Sequence, residues 1–253
     1  MFLLELKNIT KSYLSGNSRF DALKGVSLYI KKGEFISVTG PSGSGKSTCL
    51  RNMDPESTVI LNTERKALPF PKAGRFAANV EIANHEEWIK NFKIALGLPQ
   101  VKTIFTDSFT SLCEMIYQQA IKMYQNYEVW NYYNQEIYNI LNMSKNTEKY
   151  VVFAGIDMTI DGSNGIEERC INVMGKVWQK KVEKEFVIVL FTETKDETSG
   201  TNYIFNTNRK HNITAKSPMG MLPPEMPNDL SLVIEKIENY YLEDAPKEEA
   251  PKQ

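Results

Sequence analysis

Hydrophobic positions in this chain alternate between short β-branched runs and longer stretches with helical spacing. The short runs predict strands, because consecutive side chains of a strand face opposite ways and a strand buried on both faces is apolar throughout. Strands are predicted at residues 3–9, 26–34, 34–40, 57–64, 76–83, 102–109, 150–158 and 186–194, and a hairpin at 201–208 and 211–218.

Apolar residues spaced three or four apart predict helices between these strands. The expected helices cover 47–53, 84–97 with Asn84 as the N-terminal cap, 111–143, and 165–184. The end of the chain, 243–253, is charged and proline-containing and is expected to be a disordered tail. Strands that alternate with helices indicate an α/β fold with a doubly wound, mainly parallel sheet, whose ligand lies at the carboxyl ends of the strands.

The loop after the strand at 34–40 carries the strongest chemical signal. GPSGSGKST fits G-x-x-x-x-G-K-[ST] without a gap and stands between a predicted strand and a predicted helix. Glycines let the backbone N–H groups curl around phosphates, Lys46 reaches the β- and γ-phosphates, and Ser47 is a ligand for Mg²⁺. The predicted nucleotide-binding residues are Gly40, Pro41, Ser42, Gly43, Ser44, Gly45, Lys46, Ser47 and Thr48.

Two carboxylates follow other predicted strands and are expected near this loop. Asp107 closes the strand at 102–109, where it would hold Mg²⁺ opposite Ser47; the alternative is an aspartate that only caps the next helix. Glu64 ends the strand after the P-loop helix, where it would orient the attacking water; the alternative is a solvated charge beside Arg65 and Lys66.

Composition restricts the remaining possibilities. A chain of 253 residues and 28.9 kDa can bury a full core, and its net charge of −1 provides no global attraction for nucleic acid, so any DNA contact needs a local patch. Cys49, Cys113 and Cys170 lack metal-site spacing, and His85 and His211 stand alone, which argues against a metal cluster or a histidine-based triad. No apolar run is long enough for a membrane span, so we expect a cytoplasmic protein.

The first 53 residues resemble the start of an ABC-transporter ATPase of the lipoprotein-release or macrolide-export type. The resemblance is carried by LELKNITKSY and DALKGVSLYIKKGEFISVTGPSGSGKST, and it implies that Tyr13 stacks on adenine. The rest of such an ATPase is missing. No LSGGQ-type helix start, no strand ending in Asp-Glu and no switch histidine follows residue 53, and the LSG at 14–16 precedes the loop.

From residue 50 onwards the chain resembles the phage-encoded RecA-like ATPases associated with single-strand annealing recombination. The matching segments are LRNMDPESTVILNTERKALPFP, TIFTDSFTSL, GKVWQKKVEKEFVIVLFTE and NTNRKHNITAKSPMGM followed by PNDL. The resemblance implies a RecA-like P-loop NTPase, with Asp107 in the Walker B position and Glu64 as the catalytic glutamate. It also implies that a basic residue of a neighbouring subunit reaches the ATP: Lys216 is the first choice and Arg209 the second, and the alternative for both is a solvated charge of the predicted hairpin.

These observations predict an N-terminal antiparallel strand addition (1–33), a RecA-like ATPase domain (34–242) and the tail. The expected function is Mg²⁺-dependent ATP hydrolysis in phage-type DNA recombination, in the host cytoplasm if the chain is phage-encoded. Expected partners are single-stranded DNA, further copies of the chain and an annealing or single-strand-binding protein. The alternatives are an ABC-transporter subunit with a membrane partner and a nucleotide-binding module without turnover. The tyrosine-rich segment 117–138 can stack DNA bases, but its helical spacing favours packing within the protein.

Overall fold

The computed structural model describes most of the chain: residues 2–15, 18–31, 33–161, 165, 167–179, 181–197, 200–210 and 212–243. His211 lies outside these residues, and so does the predicted tail from residue 244 onwards.

The N-terminal segment forms a two-stranded antiparallel sheet of its own. Strands β1 (Phe2–Ser15) and β2 (Ser18–Lys31) pair from Phe2 opposite Lys31 to Ser15 opposite Ser18, with several register shifts between. Both strands extend beyond the predicted strands at 3–9 and 26–34 into the segment between them. The predicted antiparallel addition is thus present, as a longer hairpin.

A nine-stranded mixed sheet forms the body of the protein. The strand order is β11-β10-β9-β3-β7-β6-β4-β5, with β8 beside β7. Wherever two of the strands β3, β4, β5, β6, β7 and β9 are neighbours, they pair in parallel. Strands β8, β10 and β11 pair antiparallel with their neighbours. The strands are β3 (Phe35–Gly40), β4 (Thr58–Asn62), β5 (Asn79–Glu81), β6 (Thr103–Asp107), β7 (Tyr150–Asp161), β8 (Glu167–Ile171), β9 (Ile188–Glu197), β10 (Gly200–Asn206) and β11 (Glu225–Pro227).

Helices cover both faces of this sheet. The first after the P-loop is a short 3₁₀ helix, Ser47–Asn52, rather than a full α-helix. Asn84 caps α1 as predicted, since its Oδ1 accepts a hydrogen bond from the Glu87 N–H at 2.9 Å. The α-helices are α1 (His85–Gly97), α2 (Phe109–Met123), α3 (Tyr127–Lys145), α4 (Lys176–Gln179) and α5 (Leu230–Glu243), with further 3₁₀ turns at Ala73–Arg75 and Val182–Glu185.

The core has two main layers because neighbouring strand residues point to opposite faces. Val151 and Phe153 of β7 pack with α1, α2 and α3 on one face, whereas Val152 and Ala154 pack with the first 3₁₀ helix and α5 on the other. The RecA-like, doubly wound P-loop fold predicted from the sequence is therefore the observed fold.

Three predicted elements differ in the structure. The helix expected at 111–143 is two helices, because α2 ends at Met123, Asn126 adopts φ 52°, and α3 packs back against α2. The helix expected at 165–184 begins instead as β8, which pairs with β7 and buries Cys170 and Ile171.

The predicted hairpin between 201–208 and 211–218 is also wrong. β10 pairs instead with β9, from Gly200 opposite Glu197 to Asn206 opposite Phe191, and with β11 on its other side. In the described part of the later segment, Ile213 and Lys216 form isolated bridges, including an antiparallel one between Lys216 and Val189. β11 and α5 follow without a preceding sequence prediction.

Candidate functional site

The phosphate-binding loop leaves the carboxyl end of β3 and turns directly into the first 3₁₀ helix. Two glycines give the turn its shape, since Gly43 has φ 81° and Gly45 has φ 96°, values that side chains of L-residues disfavour. The Lys46 ammonium is buried inside the loop and donates hydrogen bonds to the carbonyl oxygens of Gly40 (3.0 Å) and Pro41 (2.7 Å). Burial lowers the pKa of Lys46, and the nearby Asp107 and Glu64 carboxylates oppose this effect.

Close packing against β9 and β10 fixes the position of the loop. The Ser44 hydroxyl is hydrogen-bonded to the hydroxyl of Thr192, which is buried. A Cβ at Gly40 would lie 2.6 Å from the Thr192 carbonyl oxygen, and one at Gly45 would lie 2.7 Å from the Tyr203 ring. These two positions therefore need glycine for space, and Gly45 needs it for backbone conformation as well.

The expected magnesium ligands are in contact. The Ser47 hydroxyl donates to Asp107 Oδ2 at 2.5 Å, and the peptide bond after Asp107 is cis. Burial raises the pKa of Asp107, although the hydrogen bond from Ser47 works in the opposite direction. A hydroxyl and a carboxylate are oxygen ligands of the kind that Mg²⁺ prefers, so the residues present fit this ion.

Glu64 lies beside this pair because β4 and β6 are parallel neighbours. Asn62 pairs with Asp107 in the sheet, and the Glu64 N–H donates to the Asp107 carbonyl oxygen at 3.1 Å. The two carboxylates consequently emerge at the same edge of the sheet. Asp107 does not cap α2: that role belongs to Ser108, whose hydroxyl accepts from the Ser111 N–H.

Both oxygens of the Glu64 carboxylate are hydrogen-bonded. Ser108 Oγ donates to Oε1 at 3.0 Å, and Lys66 Nζ contacts Oε2 at 2.8 Å. Burial by itself would raise the pKa of Glu64, but these two hydrogen bonds and the positive charge of Lys66 outweigh it, so the pKa lies below its usual value. Glu64 is thus ionised and held in place at neutral pH.

The basic residues expected to act from a neighbouring subunit lie away from this site within one chain. Lys216 pairs with Val189 near the amino end of β9, whereas the P-loop follows the carboxyl end of β3. Burial lowers the pKa of Lys216, and Glu183 attracts its charge. The Arg209 guanidinium forms an exposed ion pair with Glu168 of β8.

Two other predictions concern aromatic residues. Tyr13 lies in β1 opposite Phe20, and only its backbone is described. Most of the tyrosine-rich segment forms α3, where Tyr133 is fully buried and Trp130 and Tyr117 pack against it. Packing within the protein, the favoured interpretation, therefore holds for this helix face.

Three residues contact the site without having been assigned a role there from the sequence, although Lys66 was named as a neighbour of Glu64. Ser108 holds Glu64, Lys66 neutralises it, and Thr192 contacts the P-loop from β9. Only Ser108 had a recognisable signal, because it directly follows Asp107 at a helix start. The contact of Thr192 depends on strand order, which local sequence does not specify.

Comparison with known proteins gives two kinds of match. A family model described as an AAA domain matches residues 32–219. An uncharacterized ABC transporter ATP-binding protein of Methanocaldococcus jannaschii is 58% identical over 48 residues, 19% of this chain and 20% of that protein. A macrolide export ATP-binding/permease protein of Bdellovibrio bacteriovorus is 50% identical over 48 residues, 19% of this chain and 7% of that protein.

The chain thus spans a fifth or less of the length of these two relatives. Among solved structures, a KaiC-like protein of Pyrococcus horikoshii overlaps 69% of this chain and 77% of its own, at 11% identity and a TM-score of 0.42, too low to add to the assignment. Within the part of the chain that is described, no helix has the length and apolar character needed to cross a membrane. The AAA-domain model covers most of the chain, including the P-loop, Asp107 and Glu64, and the chain belongs to this family of ATP-binding P-loop ATPases.

Proposed function

We propose that this protein is a Mg²⁺-dependent ATPase of phage-type DNA recombination. The observation that carries the ATPase part is the contact between Ser47 and Asp107 beside the buried Lys46, with Glu64 at the same edge of the sheet. A P-loop hydroxyl, a strand-end carboxylate and a second carboxylate are the groups that nucleotide hydrolysis needs.

Each group has a separate task in this mechanism. The P-loop N–H groups and Lys46 bind and orient the phosphates of ATP. Mg²⁺ would be held by Ser47 and Asp107, where it would neutralise charge that develops on the β- and γ-phosphate oxygens. Glu64 accepts a hydrogen bond from the attacking water, and Ser108 fixes the direction of that carboxylate.

The finer parts of the proposal come from the resemblance to phage RecA-like ATPases. In this view copies of the chain assemble on single-stranded DNA, with an annealing or single-strand-binding protein as a further partner. Lys216 of one subunit then stabilises the charge on the phosphoryl group that is transferred in the next. Tyr13 would contact the adenine. The host cytoplasm is the compartment where such a system would act.

An ABC-transporter subunit is the second candidate, and the short N-terminal matches favour it. It would require a membrane-domain partner. Asp107 is followed by serine rather than glutamate, and no LSGGQ-type sequence follows the P-loop, so the parts that complete an ABC dimer are missing from this chain. A nucleotide-binding module without turnover is the third candidate.

Replacing Lys46 by alanine tests the common basis of all three. Lys46→Ala should abolish tight ATP binding, because it removes the charged group that the loop directs at the β- and γ-phosphates. Calorimetry with ATP and Mg²⁺ measures the affinity, and Lys90→Ala, an exposed lysine of α1, is the matched control. Equal affinity in Lys46→Ala and wild type would contradict the site. Turnover with and without single-stranded DNA then separates the three candidates.

A further inference from the structure

A polar cleft adjoins the candidate catalytic glutamate. It has a volume of about 540 Å³ and is bounded by the loop after β4, the residues before α1, and α2. Glu64 lies in its wall, so a ligand in this cleft would contact the residue that orients the attacking water. Clefts of this size bind small ligands or short segments of a larger one.

Cationic side chains in this cleft are available for a ligand. Arg65 and Lys122 line it, and neither forms a hydrogen bond or an ion pair with the residues that the structure describes. Lys66 forms an ion pair with Glu64, and its side chain is 77% exposed. Glu114 is the other carboxylate of the cleft wall, so three cations face two acids in a protein whose net charge is −1.

Other charged parts of the described chain are less suited to bind a polyanion. Arg209 is paired with Glu168, and Lys216 is attracted by Glu183 and Glu185. The strands that project beyond the carboxyl edge of the sheet carry several acids, including Asp157, which Arg169 already neutralises. Among the described residues, the cleft therefore combines unpaired positive charge with proximity to the ATP site.

Lys66 also restrains Glu64. Its ammonium contacts Oε2 at 2.8 Å, so one of the two carboxylate oxygens that could accept a hydrogen bond from the attacking water is already occupied. Exposed ion pairs of this kind are weak, so a phosphodiester anion can compete for Lys66 when Arg65 and Lys122 hold neighbouring phosphates of the same strand. Ser108 would still hold Oε1 after such an exchange.

We propose that this cleft binds the phosphodiester backbone of a single-stranded nucleic acid, whose phosphate takes Lys66 from Glu64 and thereby activates ATP hydrolysis. Arg65 and Lys122 supply the remaining positive charge, and Lys66 acts as a positioning residue that couples strand binding to turnover. The coupling rests on the proposed ATPase function, whereas the binding surface does not depend on it.

A charge-reversal comparison tests the binding surface. Arg65→Glu/Lys122→Glu should weaken binding of a fluorescent oligothymidylate by tenfold or more in anisotropy titrations. The slope of log K against log salt should decrease by about 1.4, since each lost phosphate contact contributes about 0.7. The control Lys90→Glu/Lys93→Glu makes the same net charge change on the exposed side of α1 and should bind within about twofold of wild type.

Glu114→Gln provides a test of opposite sign, because removal of a carboxylate from the cleft should tighten oligothymidylate binding. Equal weakening by the cleft and control double variants would overturn the assignment, as would a wild-type chain that does not bind the oligonucleotide. Binding of polyglutamate in place of oligothymidylate would overturn the identity of the partner.

The coupling is tested by Lys66→Ala. Without oligothymidylate this variant should hydrolyse ATP severalfold faster than wild type, and the oligonucleotide should stimulate it little; Lys66→Arg should retain low basal activity and stimulation. A lower or unchanged basal rate in Lys66→Ala would overturn the coupling. If wild type hydrolyses no ATP under any condition, the proposed function and the coupling fail. The comparison of the cleft and control charge-reversal variants would still test whether the cleft binds the strand.

Discussion

At the scale of single residues, Asp107 and Glu64 lie in environments that differ in the way their two proposed tasks require. Burial raises the pKa of Asp107 because it disfavours the charged carboxylate, and a bound cation would compensate for this effect. Glu64 is also partly buried, yet hydrogen bonds from Lys66 and Ser108 lower its pKa. Asp107 thus fits a metal ligand, and Glu64 fits a residue that orients water.

Glu64→Gln separates binding from chemistry. The amide keeps the shape of the side chain but cannot act as a base, so ATP affinity should stay close to the wild-type value while turnover falls by about 10²-fold or more. Calorimetry and a phosphate-release assay measure the two quantities. Unchanged turnover would leave Glu64 as a solvated loop charge.

In the absence of bound nucleotide, the Asp107→Asn variant should be more stable than wild type at neutral pH. It should also lack Mg²⁺-dependent ATP hydrolysis. A carboxylate whose pKa is raised in the folded state binds more protons there than in the unfolded chain. Its contribution to stability therefore falls as pH rises through the interval between the two pKa values. The pKa of Asp107 is raised even though the positive charge of Lys46 lowers it, so the loss of this attraction in the variant does not reverse the effect. The side-chain oxygen of asparagine can still accept the hydrogen bond from Ser47.

Melting temperatures of the two proteins across pH measure this effect. The variant should melt a few degrees higher at pH 7, and the difference should vanish once the pH is below both pKa values. Mg²⁺ and ATP together should raise the melting temperature of wild type more than that of the variant. A variant that is less stable at pH 7 would show that Asp107 contributes favourably even without the metal.

The site residues were predictable where their chemistry depends on a fixed spacing or position in the sequence. The P-loop residues follow a fixed pattern, and Asp107 and Glu64 both end apolar runs. No role in the site was assigned to Ser108, Lys66 or Thr192, since their contacts depend on side-chain direction and strand order. Local sequence provides neither of these.

At the scale of elements, the parallel core was predictable because its strands are apolar on both faces. The errors occurred where long-range pairing decides the outcome. Residues 167–171 become β8 because β7 extends far enough to pair with them, and the turn after α2 divides one apparent helix into two. In both cases the local pattern was compatible with a helix, and tertiary contacts selected another structure.

The P-loop offers a matched pair of glycine variants at this scale. Gly40→Ala places a Cβ against Thr192 of β9 and should cost about 1–3 kcal/mol of stability, the usual range for overpacking, together with lost ATP affinity. Gly43→Ala meets no atom within 4 Å, so only its positive φ opposes the change, at a cost of about 1 kcal/mol. Urea denaturation compares the two. A larger loss at Gly43 would show that loop strain outweighs the packing against β9.

At the scale of the whole molecule, the position of Lys216 constrains how the site can be completed. Within one chain it pairs with Val189 near the amino end of β9, whereas the P-loop lies beyond the carboxyl end of β3. A role for Lys216 at the phosphates therefore requires a second copy of the chain. The proposal is then about an assembly, and it can be tested by mixing defective subunits.

Mixing Lys46→Ala with Lys216→Ala should restore hydrolysis that neither variant shows alone. The first cannot bind ATP but supplies Lys216, and the second binds ATP but lacks the residue its neighbour needs. With single-stranded DNA, equal mixing should recover about a quarter of the wild-type rate, because half of the subunits bind ATP and half of their neighbours supply Lys216 across a head-to-tail interface. Mixing Lys216→Ala with Lys46→Ala/Lys216→Ala is the control and should recover nothing. If the first mixture is as inactive as the control, Lys216 does not act between subunits. Arg209 would then be the next residue to test in the same way.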